Sequence, residues 1–445
     1  MRSLGTALAR GQVYAASIPE RKLKKYLPQV LVEKALQTAG LEDERKRRLP
    51  VHRVLWMMIL AGLYRDLSLE AVVDRFKLAL PGKWPTVASS AVPQRRAFLG
   101  DLGPHRVFEA QVEQIALPKA REPEREWRGL SLFAADATTL STPDTQENRE
   151  AFGKPRNGKG ETSQPLVRLV CVVSLFTRLV IQASFDGWLV SELGQAAKLF
   201  ALLPERSMVI LDRLYHSAFL LWQFTGLEGS RHFLVRAKDL FHHEIVEWLP
   251  DGSALARVIV PDSARLDHPE MPSCFTLRIV WHKLLDGSLS LLLTSLLDHE
   301  AYPGPELAAQ YHGRWEIETA WREVKSSVES TVRTLRSKLA FGVRQEIWSL
   351  LIAYNIARLE ILDVAIKADV PPTEISYKGT LEQVEAALIA PRAPMPSQMP
   401  SVKHLILRRS PRPRPSCPRE KKYQVSRYPK KKARKQARVV EKAAA

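Results

Sequence analysis

Tyr311-His-Gly-Arg-Trp-Glu-Ile-Glu-Thr-Ala-Trp-Arg-Glu-Val-Lys325 is the stretch on which the reading of this chain turns. It follows Pro303 and Pro305, has neither proline nor glycine after Gly313, and is rich in helix formers, so it predicts one helix. A helix turns roughly 100° per residue, which with Glu318 at zero puts Lys325 near about −20°, Arg314 near about −40° and Tyr311 near about +20°. These four share one stripe, with Arg322 beside them, and Glu316 and Glu323 fall on the opposite side. One carboxylate between cations and a tyrosine makes a poor core face. It suits a phosphate if a metal is present. A solvated, charge-laced surface helix would show the same mixture, so the rest of the chain decides.

Two aspartates supply the context. Asp136 lies in Ala134-Ala-Asp-Ala-Thr-Thr-Leu140, at the end of the strand candidate Leu130–Asp136, and Asp212 closes the strand in Val209-Ile-Leu-Asp-Arg-Leu-Tyr-His216. An acid in such a place is often only a turn residue. It is also held by rigid backbone and open at the sheet edge. With Glu318, three carboxylates from three elements would bind Mg²⁺ incompletely, leaving positions for phosphate oxygen and water. Two such ions can activate an attacking hydroxyl and stabilise a departing 3′ oxygen.

The whole chain is compatible with this chemistry. Its 445 residues allow two or three domains, and 45% apolar with 26% charged residues describes a globular protein. No uncharged apolar run is long enough for a membrane span, and the first residues, with Arg2 and Arg10, lack the apolar core of a secretory signal. The three cysteines are far apart, so no zinc knuckle or disulfide framework can be drawn, and a reducing, cytoplasmic setting is expected. His242-His243-Glu244 makes a poor metal site and is read as surface, because adjacent histidines of a strand point to opposite faces. The net charge of +18 is concentrated in residues 401–445, where 16 Lys or Arg stand against Glu420 and Glu441. That tail is expected to be disordered alone and to meet a polyanion, most simply nucleic acid, although a merely solubilising tail has the same composition.

Along the chain, an arm (1–19) precedes a helical segment (20–116). There Val51–Leu63 is apolar all round and should be buried, and Ser68 caps a second helix. Basic clusters at 21–25, 45–48 and 95–96 fit a DNA-binding domain, with Thr86–Phe98 as a recognition segment, as well as an oligomerisation module. Strand candidates at Leu166–Ser174, Arg178–Phe185 and Met208–Asp212, with helices over 189–203 and from Ser217, predict a mixed α/β sheet flanked by helices. Strands at His232–Ala237, Ala254–Val260, Phe275–Trp281 and Ser288–Leu296, with Asp251-Gly252 and Asp286-Gly287 as turns, suggest a β-rich inserted subdomain (226–300). A long apolar helix (339–368), a linker region (371–400) and the basic tail follow.

The spacing Tyr-x2-Arg-x3-Glu-x6-Lys at Tyr311, Arg314, Glu318 and Lys325 resembles the signature of the insertion sequence 4 family of bacterial DDE transposases. Asp136-Ala-Thr-Thr-Leu with Pro143-Asp-Thr-Gln-Glu-Asn148 and Phe152-Gly153 is similar to the family's first-acid region, and Asp212-Arg-x-Tyr to its second. The resemblance covers about 20–370. It implies an RNase H-like catalytic core (129–225 and 301–370) with a β-rich insertion, preceded by an all-helical DNA-binding domain. It also implies catalytic, metal-holding roles for Asp136, Asp212 and Glu318, with Mg²⁺ as cofactor and Mn²⁺ as a substitute. Tyr311, Arg314, Arg322 and Lys325 would grip phosphates of the transposon end, and Trp315 or Trp281 would receive a flipped base during hairpin formation. The partners implied are double-stranded DNA, as transposon ends and target, and a second copy in a synaptic homodimer. The chain would then be cytoplasmic and nucleoid-associated when bound. Ala137 and Leu214 stand where family members often have glycine, and Leu214 could change the turn after Asp212. The competing readings are a decayed copy acting as a DNA-binding regulator, and an RNase H-like nuclease. A tyrosine recombinase is excluded, since none of the eleven histidines has arginine three residues on.

Overall fold

The computed structural model describes residues 25–43, 49–64, 71–72, 90–116, 126–157, 160–161, 164–238, 241–283, 289–326 and 334–380, all within one compact unit. The N-terminal arm, the basic clusters at 21–24 and 45–48, the Ser68 cap, residues 86–89 of the Thr86–Phe98 segment, the Asp286-Gly287 turn and the basic tail lie outside these residues.

Four helices come first: α1 Gln29–Thr38, α2 Val51–Leu63, α3 Ala91–Leu99 and α4 Leu102–Ala116. The sheet strands follow, β1 Leu130–Ser141, β2 Leu166–Ser174, β3 Val180–Gly187, β4 Ser207–Leu211 and β5 Arg231–Arg236, with α5 Gln146–Phe152, α6 Glu192–Phe200 and α7 Ala218–Thr225 between them. After these come β6 His243–Trp248, β7 Ala254–Ile259, β8 Cys274–Lys283 and β9 Leu289–Thr294. The last helices are α8 Gly304–Tyr311, α9 Trp315–Ser326 and α10 Ala340–Ala368.

The strand order is β3-β2-β1-β4-β5-β9-β8-β7-β6. β1 is antiparallel to β2 and parallel to β4, and β4 is parallel to β5, so the first five strands form an RNase H-like mixed sheet. The strands expected in a separate insertion continue the same sheet, antiparallel throughout, from β5 through β9.

Both faces of the sheet are covered, which is why β2 is almost continuously apolar. Val167, Leu169, Cys171 and Val173 enter one core, Val170 and Val172 the other. α6 and α7 close the second face. The first face is closed by α9, by α10 and by the N-terminal helices, which share its core. α10 is buried on nearly every side because it is wedged between α2 and the sheet. Gly62 permits that crossing, since a Cβ there would meet the Ser349 carbonyl oxygen at 3.1 Å. No helix among the described residues is long and apolar enough to cross a membrane.

Three sequence expectations shift. β1 runs on to Ser141, so Asp136 lies mid-strand, because β2 keeps pairing it as far as Leu166. The organising helix is broken: α8 ends at Tyr311, a 3₁₀ turn spans His312–Arg314, and α9 begins at Trp315. Gly313 in that turn comes against Leu175 at the sheet end, where a Cβ would be 3.2 Å from the Leu175 Cδ1. Finally, the strand expected around His242-His243-Glu244 is β6, an edge strand that runs on to Trp248 and is exposed on both faces, so no alternation marks its extent.

Candidate active site

The parallel register of β1 and β4 runs from Ser131 opposite Ser207 to Ala134 opposite Ile210. Two residues further along each chain come Asp136 and Asp212, level with one another at the point where β4 ends and β1 loses its partner on that side. Asp136 still pairs with Cys171 of β2 on its other side, and its side chain shares the sheet face of Ala134, the face on which α9 packs. The Asp212 Oδ1 accepts the Leu214 N–H at 2.7 Å and caps the short 3₁₀ turn Arg213–Tyr215. Leu214 does not have a positive φ, so this turn makes no demand for glycine. The Lys238 N–H donates to the His216 Nδ1 at 2.7 Å, tying the turn to the end of β5.

The aspartate pair is electrostatically costly. Burial pushes the Asp136 carboxyl up to about 6, with Asp212 and Glu192 adding to the rise and the Ala137 N–H and Arg314 opposing it. Glu192, in the first turn of α6, is a nearby carboxylate that sequence reasoning missed; an acid after an N-cap serine is so ordinary that nothing marked it. Burial raises Glu192 as well, and the charge of Asp212 adds to it. The fully buried Tyr215 hydroxyl faces Glu192 without closing a hydrogen bond of ordinary geometry. The neighbouring Thr138 hydroxyl is also buried and unpartnered.

Glu318 reaches this pair through Arg314. The Arg314 Nη2 donates to the Glu318 Oε1 at 3.2 Å, and the same guanidinium acts on Asp136 and on the Tyr311 hydroxyl. Among the described residues, no three carboxylate, histidine or cysteine groups converge closely enough to ligate one ion. The pieces present are an all-oxygen donor set on rigid elements, a desolvated Asp136 beside Asp212, and orphaned hydroxyls near them. This set fits a divalent cation, which Asp136 and Asp212 would hold.

The remaining candidates divide. Tyr311 packs in the core edge beside His282, their rings 5.9 Å apart. Trp315 is 58% exposed, with the Arg314 guanidinium 5.3 Å from its ring centre. Arg322 is exposed, and the Lys325 side chain lies outside the described part of the structure. Trp281 is parted from them: it stacks on Trp248 at 5.1 Å and packs on the sheet face opposite the one carrying Asp136. Arg236, whose charge acts on Tyr311 and His282, also borders the site and carried no signal in the sequence.

The α8–α9 segment that carries Glu318 is fixed at two places. At the start of α8, the Gly304 N–H donates to Asp251 at 2.7 Å, and Asp251 pairs with the fully buried Arg278. Behind α9, Arg178 of the β2–β3 turn donates to Glu316 at 2.6 Å and to Glu323 at 2.8 Å, so the two glutamates assigned to the far side of the stripe are held there.

The site is therefore an RNase H-like mixed sheet in which Asp136 of β1 stands level with Asp212 just past the end of β4. Residues 127–356 match a family model described as a transposase DDE domain, and residues 19–109 match one described as the insertion element 4 transposase N-terminal region. The chain is 31% identical over 388 residues to the transposase InsG of insertion sequence element IS4 from Escherichia coli K12, covering 86% of each chain. It is 28% identical over 247 residues to the putative transposase InsZ of the same organism, covering 55% of this chain and 79% of that one. A cryo-EM structure of a piggyBac transposase synaptic complex with hairpin DNA aligns with a TM-score of 0.44 at 9% identity, covering 93% of this chain and 91% of the other. The chain belongs to the insertion sequence 4 family of DDE transposases, enzymes that cleave and transfer DNA strands.

Proposed function

We propose that this transposase binds the terminal inverted repeats of its own insertion sequence and moves it by a cut-and-paste route through a hairpin intermediate, with Asp136, Asp212 and Glu318 as its catalytic acids. The observation that carries the reading is the level placement of Asp136 and Asp212 where β4 ends beside β1, with burial first and the nearby Asp212 charge next raising the Asp136 carboxyl to about 6. Such a pair is stabilised by a cation between its members.

Asp136, Asp212 and Glu318 would hold Mg²⁺, or Mn²⁺ in its place. When bound, the ion lowers the pKa of the attacking water or hydroxyl and neutralises charge on the departing 3′ oxygen. The chain's own groups do the rest. Arg314 presents a forked set of donors to the scissile phosphate, and in doing so exchanges part of its pairing with Glu318 for the phosphate. The Tyr311 hydroxyl, kept protonated by burial, donates to a phosphate oxygen. Lys325 supplies a point charge and Arg322 a forked set of donors to the flanking backbone. Trp315, exposed beside Arg314, offers its ring to a base swung out as the second strand is attacked.

Residues 20–116 act as the end-binding domain, 129–225 with 301–370 as the catalytic domain, 226–300 as its insertion and 401–445 as a sequence-independent DNA tether. Two copies pair two ends, in the cytoplasm at the nucleoid. The test is incubation of a duplex carrying the element's terminal repeat with the protein and Mg²⁺. A denaturing gel then shows a nick at the transposon end followed by a hairpin, both lost in Asp212→Asn. Binding of the repeat without any nick by the parent protein would favour the regulator reading instead. Cleavage of arbitrary duplexes would favour a nuclease.

A further inference from the structure

α9 presents Glu318 on one side and buries Ile317, Ala320, Trp321 and Val324 on the other. Apolar burial of this kind docks a helix without fixing its rotation about its own axis, because the hydrophobic effect is not directional. Glu323 does not belong to that pattern. It is 8% exposed and lies five residues beyond Glu318, hence about 140° round the helix from it.

Three side chains from two elements converge on the Glu323 carboxylate. Arg178, in the turn between β2 and β3, donates from Nη1 to Oε1 at 2.8 Å. Arg358 of α10 donates to Oε2 at 3.4 Å, and the Tyr354 Oη lies 3.1 Å from the same oxygen. The two guanidiniums are themselves pinned by backbone. The Arg358 Nε donates to the Thr177 carbonyl at 2.9 Å, and the Arg178 Nη2 to the Thr373 carbonyl at 3.4 Å. Arg178 also sits at φ 57°, a left-handed position that favours glycine. An arginine placed there at a cost in strain points to its side chain as the reason. Buried ion clusters add little net stability compared with apolar packing, and their best-attested use is to enforce one geometry.

We propose that Glu323, clamped by Arg178 and Arg358, is a positioning residue that sets the rotation of α9 and so aims Glu318 and Arg314 at the aspartate pair. The proposal rests on Glu318 being the third acid. A 20° rotation swings a carboxylate some 6 Å from the helix axis by about 2 Å, and misplacements of about 1 Å cost on the order of 100-fold in rate.

The test uses the full-length protein and two variants. The first replaces the clamp with apolar side chains (Arg178→Met, Glu323→Leu, Arg358→Met), and the second is Glu323→Gln, which keeps the shape but sets an amide N–H₂ against guanidinium donors. Both are expected to fold, and to bind a terminal-repeat duplex within about twofold of the parent. Their single-turnover nicking is expected to fall by at least tenfold at saturating DNA, and their Mn²⁺ affinity, read by electron paramagnetic resonance, to weaken several-fold. In the apolar background Glu318→Ala should cost far less than in the parent, since an acid already misaimed has little left to lose. If the apolar variant does not fold, Glu323→Gln alone carries the decision. Parental nicking and parental Mn²⁺ affinity in a folded variant overturn the proposal. Nicking by the Glu318→Ala variant of the parent protein as fast as the parent itself would instead mean that the third-acid reading has failed.

Discussion

Asp136 and Asp212 stand level with one another, each two residues past the parallel Ala134–Ile210 pair, so that two carboxylates meet where β4 ends beside β1. For Asp136 the result is a carboxyl raised from 3.8 to about 6, with burial as the main cause. The consequence for stability has a definite sign. Across that window the folded chain keeps a proton that the unfolded chain has released, so stability falls as pH rises from about 4 to about 6 and stays lower above it. The penalty is at most roughly 3 kcal/mol. Thermal melts in a metal chelator should therefore show Asp136→Asn melting a few degrees above the parent at pH 7.5 and level with it at pH 4. Equal melting at both values would mean that the carboxylate is not desolvated.

Leu214 follows Asp212 where family members often have glycine. Because the turn lacks a positive φ and Leu214 is 46% exposed, the side chain neither strains the backbone nor covers the aspartate pair. Leu214→Gly should leave nicking within about threefold of the parent and cost roughly 1 kcal/mol through the freer unfolded chain. A large gain in activity would show that leucine does impair the site.

The two tryptophans should separate cleanly. Stacking a base on an aromatic ring contributes about 1–3 kcal/mol, so Trp315→Ala should slow hairpin formation on the order of tenfold while leaving the first nick intact. Trp281→Ala, by removing a ring stacked on Trp248 behind the sheet, should lower the melting temperature and spare the ratio of hairpin to nick. Quantifying both products on one gel decides between them.

How much of this was legible in the sequence depends on the range of the causes. β2 could be read because covering both faces leaves a run of Val, Leu and Cys, and the Asp251-Gly252 turn because Gly252 carries a positive φ. Asp212 could be placed at its strand end because apolar residues stop there. The extension of β1 beyond Asp136 depends on pairing with β2, some thirty residues away. The break at His312–Arg314 depends on Gly313 meeting Leu175. The continuity of β5 with β9, the approach of Glu192 and the Arg178 clamp are likewise long-range facts with no local pattern.

Asn355 of α10 offers a purely structural check. Its Oδ1 accepts the Val180 N–H at 2.9 Å and its Nδ2 donates to the Val180 carbonyl at 2.8 Å, so a buried side chain completes the ladder of edge strand β3. Asn355→Leu would orphan both backbone groups and should destabilise the chain by about 2–4 kcal/mol, measured by urea unfolding. A change under about 1 kcal/mol would mean that water replaces the amide.

The central claim is that Asp136, Asp212 and Glu318 serve one divalent ion, although Glu318 meets the aspartates here through Arg314. Calorimetric titration of Mn²⁺ into the protein bound to a terminal-repeat duplex tests it most directly. The account predicts that Asp136→Asn, Asp212→Asn and Glu318→Gln each weaken binding at least tenfold, with the repeat still bound. Mn²⁺ affinity unchanged in Glu318→Gln would contradict it.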